Sequence, residues 1–447
     1  MVTEKVQDNK EEKMKKKIYS VLLAMTMAVT LLTGCGSSKS EETEKAESTD
    51  EMVTLKFYVW NNEEGYIQKV IDEYKKTHEN IDVELVIVPD ENDSYNQKLQ
   101  MLLSSHDESV DLVNLHGAAQ VTNYANGEAL LDLTEWISEG NLDVSSYGPM
   151  WETSSVNDSY YALPTRATCW VLYYNRDIFD QAGIAYPSEQ LTWNEYVALC
   201  DEVYKACKEK GITAADGTEV KGGMMVNWVM DYYSIQKGVY LNSDNIDAIK
   251  EGLQYNYDMY HHESCYSYPQ VTATDFDYLS DFENGRVAMM PNGEWMVNMF
   301  KDDVESGKAD IKWGASYMPV PEGVEEHTTF GDFQFAGISA YSKHPKESFD
   351  FLSYLCGEEG AKIYSGDGII AAYSSDEVID AYKKATGNDT VSVFFDSKKI
   401  QETPNDEGYE EIKKAFRENA EIYYLDEISL EECVSNFEKQ QESILSR

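Results

Sequence analysis

Residues 53–60 read Val-Thr-Leu-Lys-Phe-Tyr-Val-Trp. Val53, Leu55, Phe57 and Val59 fall on one face of an extended chain, the period-2 pattern of a β-strand. Ile67, Val70, Ile71 and Tyr74 follow at helical spacing, and Val83, Leu85 and Ile87 alternate again. Tyr95, Leu99, Leu102 and Leu103 predict a second helix, and Val110 to Leu115 a third strand. Strand–helix–strand–helix–strand predicts a parallel sheet with right-handed crossovers. Ligands of such sheets sit beyond the carboxyl ends of the strands. Two loops leave that edge: Trp60-Asn61-Asn62-Glu63 and His116-Gly117. Both are therefore aimed at one cleft. Asn61 or Asn62 has an alternative use as a helix cap, and a lone His such as His116 is commonly structural.

Further along, Leu130 to Trp136 starts a helical stretch, and Tyr161-Ala-Leu-Pro164 leads into an apolar strand from Cys169 to Tyr174. Thr192-Trp-Asn-Glu195 has capping-box spacing and opens a helix reaching about Lys210. Asp216-Gly217 predicts a tight turn. Helical segments run to about His262, Pro345 sits in the first turn of a helix carrying Phe349, Phe351, Leu352 and Leu355, and the tail from Tyr409 is helical and charged. With 447 residues, two lobes are expected rather than one core.

The start of the chain reads differently. Lys15, Lys16 and Lys17 precede an apolar run from Ile18 to Leu32, the pattern of a secretory signal, with Met14 a plausible true start. The run ends in Leu32-Thr33-Gly34-Cys35, which resembles a bacterial lipobox with Cys35 as the lipidated residue. Residues 1–34 are thus expected to be a signal peptide, and 35–51 a lipidated Cys with a flexible Ser/Glu/Lys/Thr tether. The expected location is the outer face of a bacterial cytoplasmic membrane, reached through the lipid anchor only; no later segment is apolar enough to span.

The formal net charge is −44, and beyond residue 34 the chain carries 31 basic against 77 acidic side chains. Such a surface repels nucleic acid and anionic headgroups and excludes both as partners. After Cys35 six cysteines remain. Their spacing shows neither a disulfide framework nor a metal knuckle, so mainly buried thiols are expected. His261-His262-Glu263 cannot present both imidazoles on one helix face and reads as solvated surface. No metal, cofactor or catalytic residue is expected.

Several stretches between Leu55 and Leu445 carry a resemblance. They are Phe57-Tyr-Val-Trp60 with Gly65, Tyr161-Ala-Leu-Pro164 through Leu172-Tyr-Tyr-Asn175 to Gly183, Phe282-Glu-Asn-Gly285-Arg-Val-Ala-Met289 with Gly293-Glu-Trp295, and Ala336-Gly-Ile-Ser-Ala340 with Pro345-Lys-Glu. In order and spacing they resemble the family 1 extracellular solute-binding proteins of ABC sugar importers, the maltose-binding-protein-like group. The resemblance implies an α/β, two-lobed periplasmic-binding-protein-like fold of type II, each lobe a sheet sandwiched by helices, with hinge crossings near Tyr161–Pro164 and Met318–Phe330. Lobe 1 would hold 52–160 completed by 318–362, and lobe 2 161–317 completed by 363–447.

The function implied is capture of a mono- or oligosaccharide in the cleft and delivery, by hinge closure, to ABC permease subunits by a monomer. A sugar offers C–H faces to aromatic rings and hydroxyls to amides, carboxylates and guanidinium groups. A rim group left unpaired in a closed cleft costs about 1–3 kcal/mol. By resemblance, Trp295 stacks on the ligand, with Asn292 and Glu294 beside it. Trp60, Asn61, Asn62 and Glu63 match the first ligand loop. Arg166, Thr168 and Trp170 lie in the crossing segment, where Thr168 stands at the place of a maltose-binder carboxylate, an argument against maltose. Trp228 and Asp231 occupy a loop that supplies another ring, and Asp332 and Phe333 lead the second crossing. Two other readings stay open: a secreted polysaccharide hydrolase, and the same fold binding a peptide or polyamine.

Overall fold

Leu55, Phe57 and Val59 are fully buried, and Tyr58 and Trp60 nearly so. The first strand is therefore covered on both faces, as strands of parallel sheets are. The computed structural model describes residues 52–447 except 62, 90–93, 141, 188, 275, 405 and 407. The expected signal peptide, Cys35, the tether and Asn62 lie outside the described residues.

In chain order the described strands are β1 (Val53–Trp60), β2 (Ile81–Val88), β3 (Leu112–Leu115), β4 (Ala162–Ala167), β5 (Trp170–Asn175), β6 (Lys221–Gly223), β7 (Val287–Gly293), β8 (Trp313–Ser316), β9 (Thr328–Gly331), β10 (Phe333–Ile338) and β11 (Lys398–Gln401). They form a five-stranded sheet of order β2-β1-β3-β10-β4, a four-stranded sheet of order β6-β7-β5-β8, and the pair β11-β9.

In the first sheet β1 runs parallel to β2, from Val53 opposite Ile81 to Trp60 opposite Val88, and parallel to β3. The parallel expectation stops there, because β10 is antiparallel to both β3 and β4. A strand from residues 333–338 thus completes a sheet begun at residue 53. Helix Glu64–Tyr74 meets helices Pro345–Cys356 and Glu358–Gly366 through Tyr74 against Phe351 at 5.1 Å and Tyr66 against Tyr364 at 4.9 Å. Full burial of each such ring contributes about 1.5–3 kcal/mol.

In the second sheet β5 is antiparallel to β7 and β8, and β6 is parallel to β7. Helix Trp193–Lys210 covers it and opens with the expected capping box: Glu195 N donates to Thr192 Oγ1 at 3.2 Å, and Thr192 N to Glu195 Oε2 at 2.7 Å. Asp216-Gly217 forms a tight turn closed by Ala214 N to Thr218 O at 2.9 Å. The tail helices Tyr409–Tyr424 and Leu430–Leu445 pack together against Ile246–Tyr260.

Three passages join the sheets. The first is Thr168–Cys169, between β4 and β5. It falls later than the expected 161–164, because β4 bonds to β10 and so belongs to the first sheet. The second is Asp332, between β9 and β10. In the third, Ala167 N donates to Ile370 O and Ala372 N to Thr165 O, both at 3.2 Å. The same stretch then reaches β8 through Asn388 Nδ2 to Trp313 O at 3.1 Å.

Cys169, Cys200, Cys207, Cys265, Cys356 and Cys433 are all buried free thiols. His261 and His262 bond to Asp426 and Ser264. Among the described residues no group of His, Cys, Asp and Glu is placed to hold a metal ion, and no helix is long and apolar enough to cross a membrane.

Candidate ligand cleft

Arg166 lies near the end of β4, where the chain leaves the first sheet. Its Nη1 donates to Glu63 Oε1 at 3.0 Å and to the Tyr66 hydroxyl at 3.3 Å, with the guanidinium 5.7 Å above the Tyr66 ring centre. Its Nη2 faces Glu294 Oε1 at 3.8 Å. Glu63 precedes helix Glu64–Tyr74 beside the first sheet, and Glu294 precedes helix Trp295–Glu305 beside the second. One cation thus ties carboxylates from both halves, each placed where a helix N-terminus favours an anion. Glu63 is 2% and Glu294 5% exposed. Burial pushes both carboxyls above the usual carboxylate range, and Arg166 pulls them back. Glu294 Oε2 also accepts from Cys169 N at 3.2 Å, which binds the first passage to the second half.

Trp295 is half-buried. Its ring lies over the backbone of Gly293, where a Cβ would overlap it, and meets Trp170 edge-on at 5.4 Å. Tyr278, whose hydroxyl lies against Met299 Sδ at 3.8 Å, packs edge-on against Trp228 at 5.2 Å. Trp295 thus forms an aromatic wall backed by the buried Trp170, and Trp228 and Tyr278 form a second ring pair. On the first half, Trp60 lies flat on His116 at 4.0 Å and edge-on to Tyr95 at 5.3 Å.

The two passages bond to each other. Thr168 N donates to Asp332 O at 2.8 Å and Asp332 N to Thr168 Oγ1 at 2.6 Å. Behind them Trp170 Nε1 donates to Glu402 Oε2 at 3.0 Å, and Thr403 N to Asp332 Oδ1 at 3.3 Å. Burial pushes the Asp332 carboxyl up to about 6. Burial and the neighbouring Asp332 push Glu402 up to about 8. Asp231, buried against the Tyr409 hydroxyl at 3.5 Å, adds to the same field, which Lys413 opposes.

The structure thus brings Glu63, Arg166, Glu294, Trp295 and Trp170 into one connected group. Thr168 and Asp332 lie beneath it, and Trp60 stacks with His116 on the first half. Asn61 is exposed. Asn292 is fully buried, its Oδ1 taken by Gly293 N at 2.8 Å, so it shapes the turn before Trp295. Phe333 is buried against Phe335. Sequence reasoning missed Tyr66, Tyr278, Glu402 and the buried Asn114, whose side chain helps hold the Glu63 carboxyl down. Only Asn114 left a signal, a polar residue inside the apolar run Val110–Leu115.

Residues 60–362, more than half of the chain, match the family model for bacterial extracellular solute-binding protein. The chain belongs to this family. Among its relatives, the solute-binding protein is 24% identical over 370 residues to the multiple sugar-binding protein of Streptococcus mutans, covering 76% of this chain and 78% of that one. It is 26% identical over 205 residues to the arabinooligosaccharide-binding protein of Halalkalibacterium halodurans, 44% of this chain and 43% of that one. A sugar transporter from Rhizobium etli, solved in an open conformation, superposes with a TM-score of 0.80 at 22% identity, over 87% of this chain and 99% of that one. The fold of this solute-binding protein is accordingly the two-lobed α/β type, with the five- and four-stranded sheets as the lobe centres.

Proposed function

We propose that this chain is the substrate-binding component of an ABC importer, taking a carbohydrate between its lobes and presenting it to permease subunits as a lipoprotein anchored through Cys35. The carrying observation is the Glu63–Arg166–Glu294 bridge between the halves, set beside the half-buried Trp295 wall. Rings supply an apolar platform for sugar C–H faces, and charged groups pair hydroxyls strongly. Ligand contacts made to both halves at once favour the closed state over the open one. Trp295, Trp228, Glu63, Arg166, Glu294, Thr168 and Asp332 are the proposed contacts, with Trp60 and His116 at the first-lobe edge. Two relatives are named for binding sugars, which supports the choice of solute.

The test is a thermal-shift screen of mono- and oligosaccharides against peptides and polyamines, run beside an assay for released reducing ends. Sugars are expected to raise the melting temperature without turnover, since a ligand at 100 times its Kd stabilises by about 2.7 kcal/mol. Trp295→Ala is expected to lose affinity while melting close to wild type. A shift with peptides or polyamines alone, or released reducing ends, overturns the reading.

A further inference from the structure

A groove of about 480 Å³ lies on the first lobe between helices Ser94–Ser104 and Ala118–Asn126. That volume falls in the range of small-molecule sites. Both helices begin at the carboxyl ends of their strands, β2 and β3, on the cleft side, and run away from it. Eleven residues of helix give the track a length of about 16 Å.

Its lining contrasts with the rest of the protein. In a chain with net charge −44 and 26% charged residues, no Asp, Glu, Lys or Arg is among the described residues that line this groove. Its walls carry the amides of Asn96, Gln100, Gln120 and Asn123. An amide offers donors and an acceptor together, so it pairs a hydroxyl whichever way that hydroxyl points. At the far end the lining residues His106 and Tyr341 stack at 4.2 Å with 18° between planes, an aromatic pair whose outer faces suit C–H contact. At the near end the groove is bonded to the cleft. His116 N donates to Gln120 Oε1 at 2.9 Å, Gln120 Nε2 donates to Asn96 Oδ1 at 2.6 Å, and the ring of His116 stacks on Trp60.

We propose that this groove continues the cleft and carries the tail of a neutral oligosaccharide longer than the cleft itself. The inference rests on the carbohydrate reading above and narrows it to an extended, uncharged, polyhydroxylated chain. A charged polymer would find no counter-ion among the described lining residues and would leave its own charge unpaired there.

Isothermal titration of the full chain against arabinan and α-glucan ladders, from disaccharides to octasaccharides, tests it. In the ladder that binds, affinity is expected to climb by about tenfold from the shortest to the longest member. The double variant Gln100→Ala/Asn123→Ala changes two exposed helix positions to the best helix former. It is expected to melt like wild type and hold disaccharides equally well, yet lose the climb. A flat length profile in wild type, or a climb kept by the variant, overturns the groove and leaves the cleft standing. Binding in neither ladder overturns the oligosaccharide tail, while the sugar screen tells separately whether the cleft takes a carbohydrate.

Discussion

Arg166 faces two carboxylates that water scarcely reaches. Taking away its charge leaves both uncompensated, and a buried charge pair broken from one side costs about 3–5 kcal/mol. Arg166→Met is expected to lower stability by that order in urea unfolding, with part regained when Glu63→Gln is added. An unchanged midpoint for the single variant would show the pair to be unimportant for folding. Glu63, Glu294 and Arg166 were each legible in the sequence, from a strand-end loop or from a resemblance. That they meet was not, because 103 residues separate Arg166 from Glu63. Glu402 left no mark at all. It stands in Ile400-Gln-Glu-Thr-Pro404, a stretch without period, and only the pairing of β11 with β9 carries it beneath Trp170.

Among the elements, β9 and the first passage touch at Gly331. A Cβ there would collide with the Thr168 carbonyl, although the backbone is ordinary in conformation. The glycine is thus required by close approach of two segments. Gly331→Ala would push the passages apart and strain the Thr168–Asp332 hydrogen bonds, a form of overpacking that costs about 1–3 kcal/mol. The expected outcome is a lower urea midpoint together with a smaller ligand-induced decrease in radius of gyration by X-ray scattering. If both stay at wild-type values, the two segments do not act as a joint. Strands β1, β2 and β3 were readable because alternation and turn spacing are local signals. The insertion of β10 between β3 and β4 was not, since its partners lie about 170 and 220 residues away in sequence and pairing over such distances leaves no local pattern.

For the whole molecule, the carboxylates near the joint set a pH dependence. Asp332 at about 6 and Glu402 at about 8 keep protons in the folded state that an unfolded chain releases near pH 4. These two groups therefore favour folding most in acid, and their contribution falls as pH rises through about 6 and then about 8. Self-repulsion of a chain at −44 acts in the same direction. The melting temperature is expected to decline from pH 5 to pH 9, and Glu402→Gln to flatten the upper part of that decline. A melting temperature that rises over this range, or an unaltered slope in the variant, contradicts the assignment. The two-lobed plan itself was legible from length and from the order of several separated stretches. Its interleaving, with the chain passing between halves three times, exists only in three dimensions.

The six interior sulfhydryls bear on how an exported chain matures. Only the thiolate attacks or is oxidised, and burial holds Cys169 and Cys433 at about 12 and Cys207 at about 11. Cys200 and Cys356 are pushed up as well. Once packed, those five sulfur atoms are shielded from both deprotonation and contact, whereas hydrogen bonding to Cys200 lowers the buried Cys265 thiol. In a compartment that promotes sulfur–sulfur bonding, collapse of the two cores must outrun the first encounter with an oxidant.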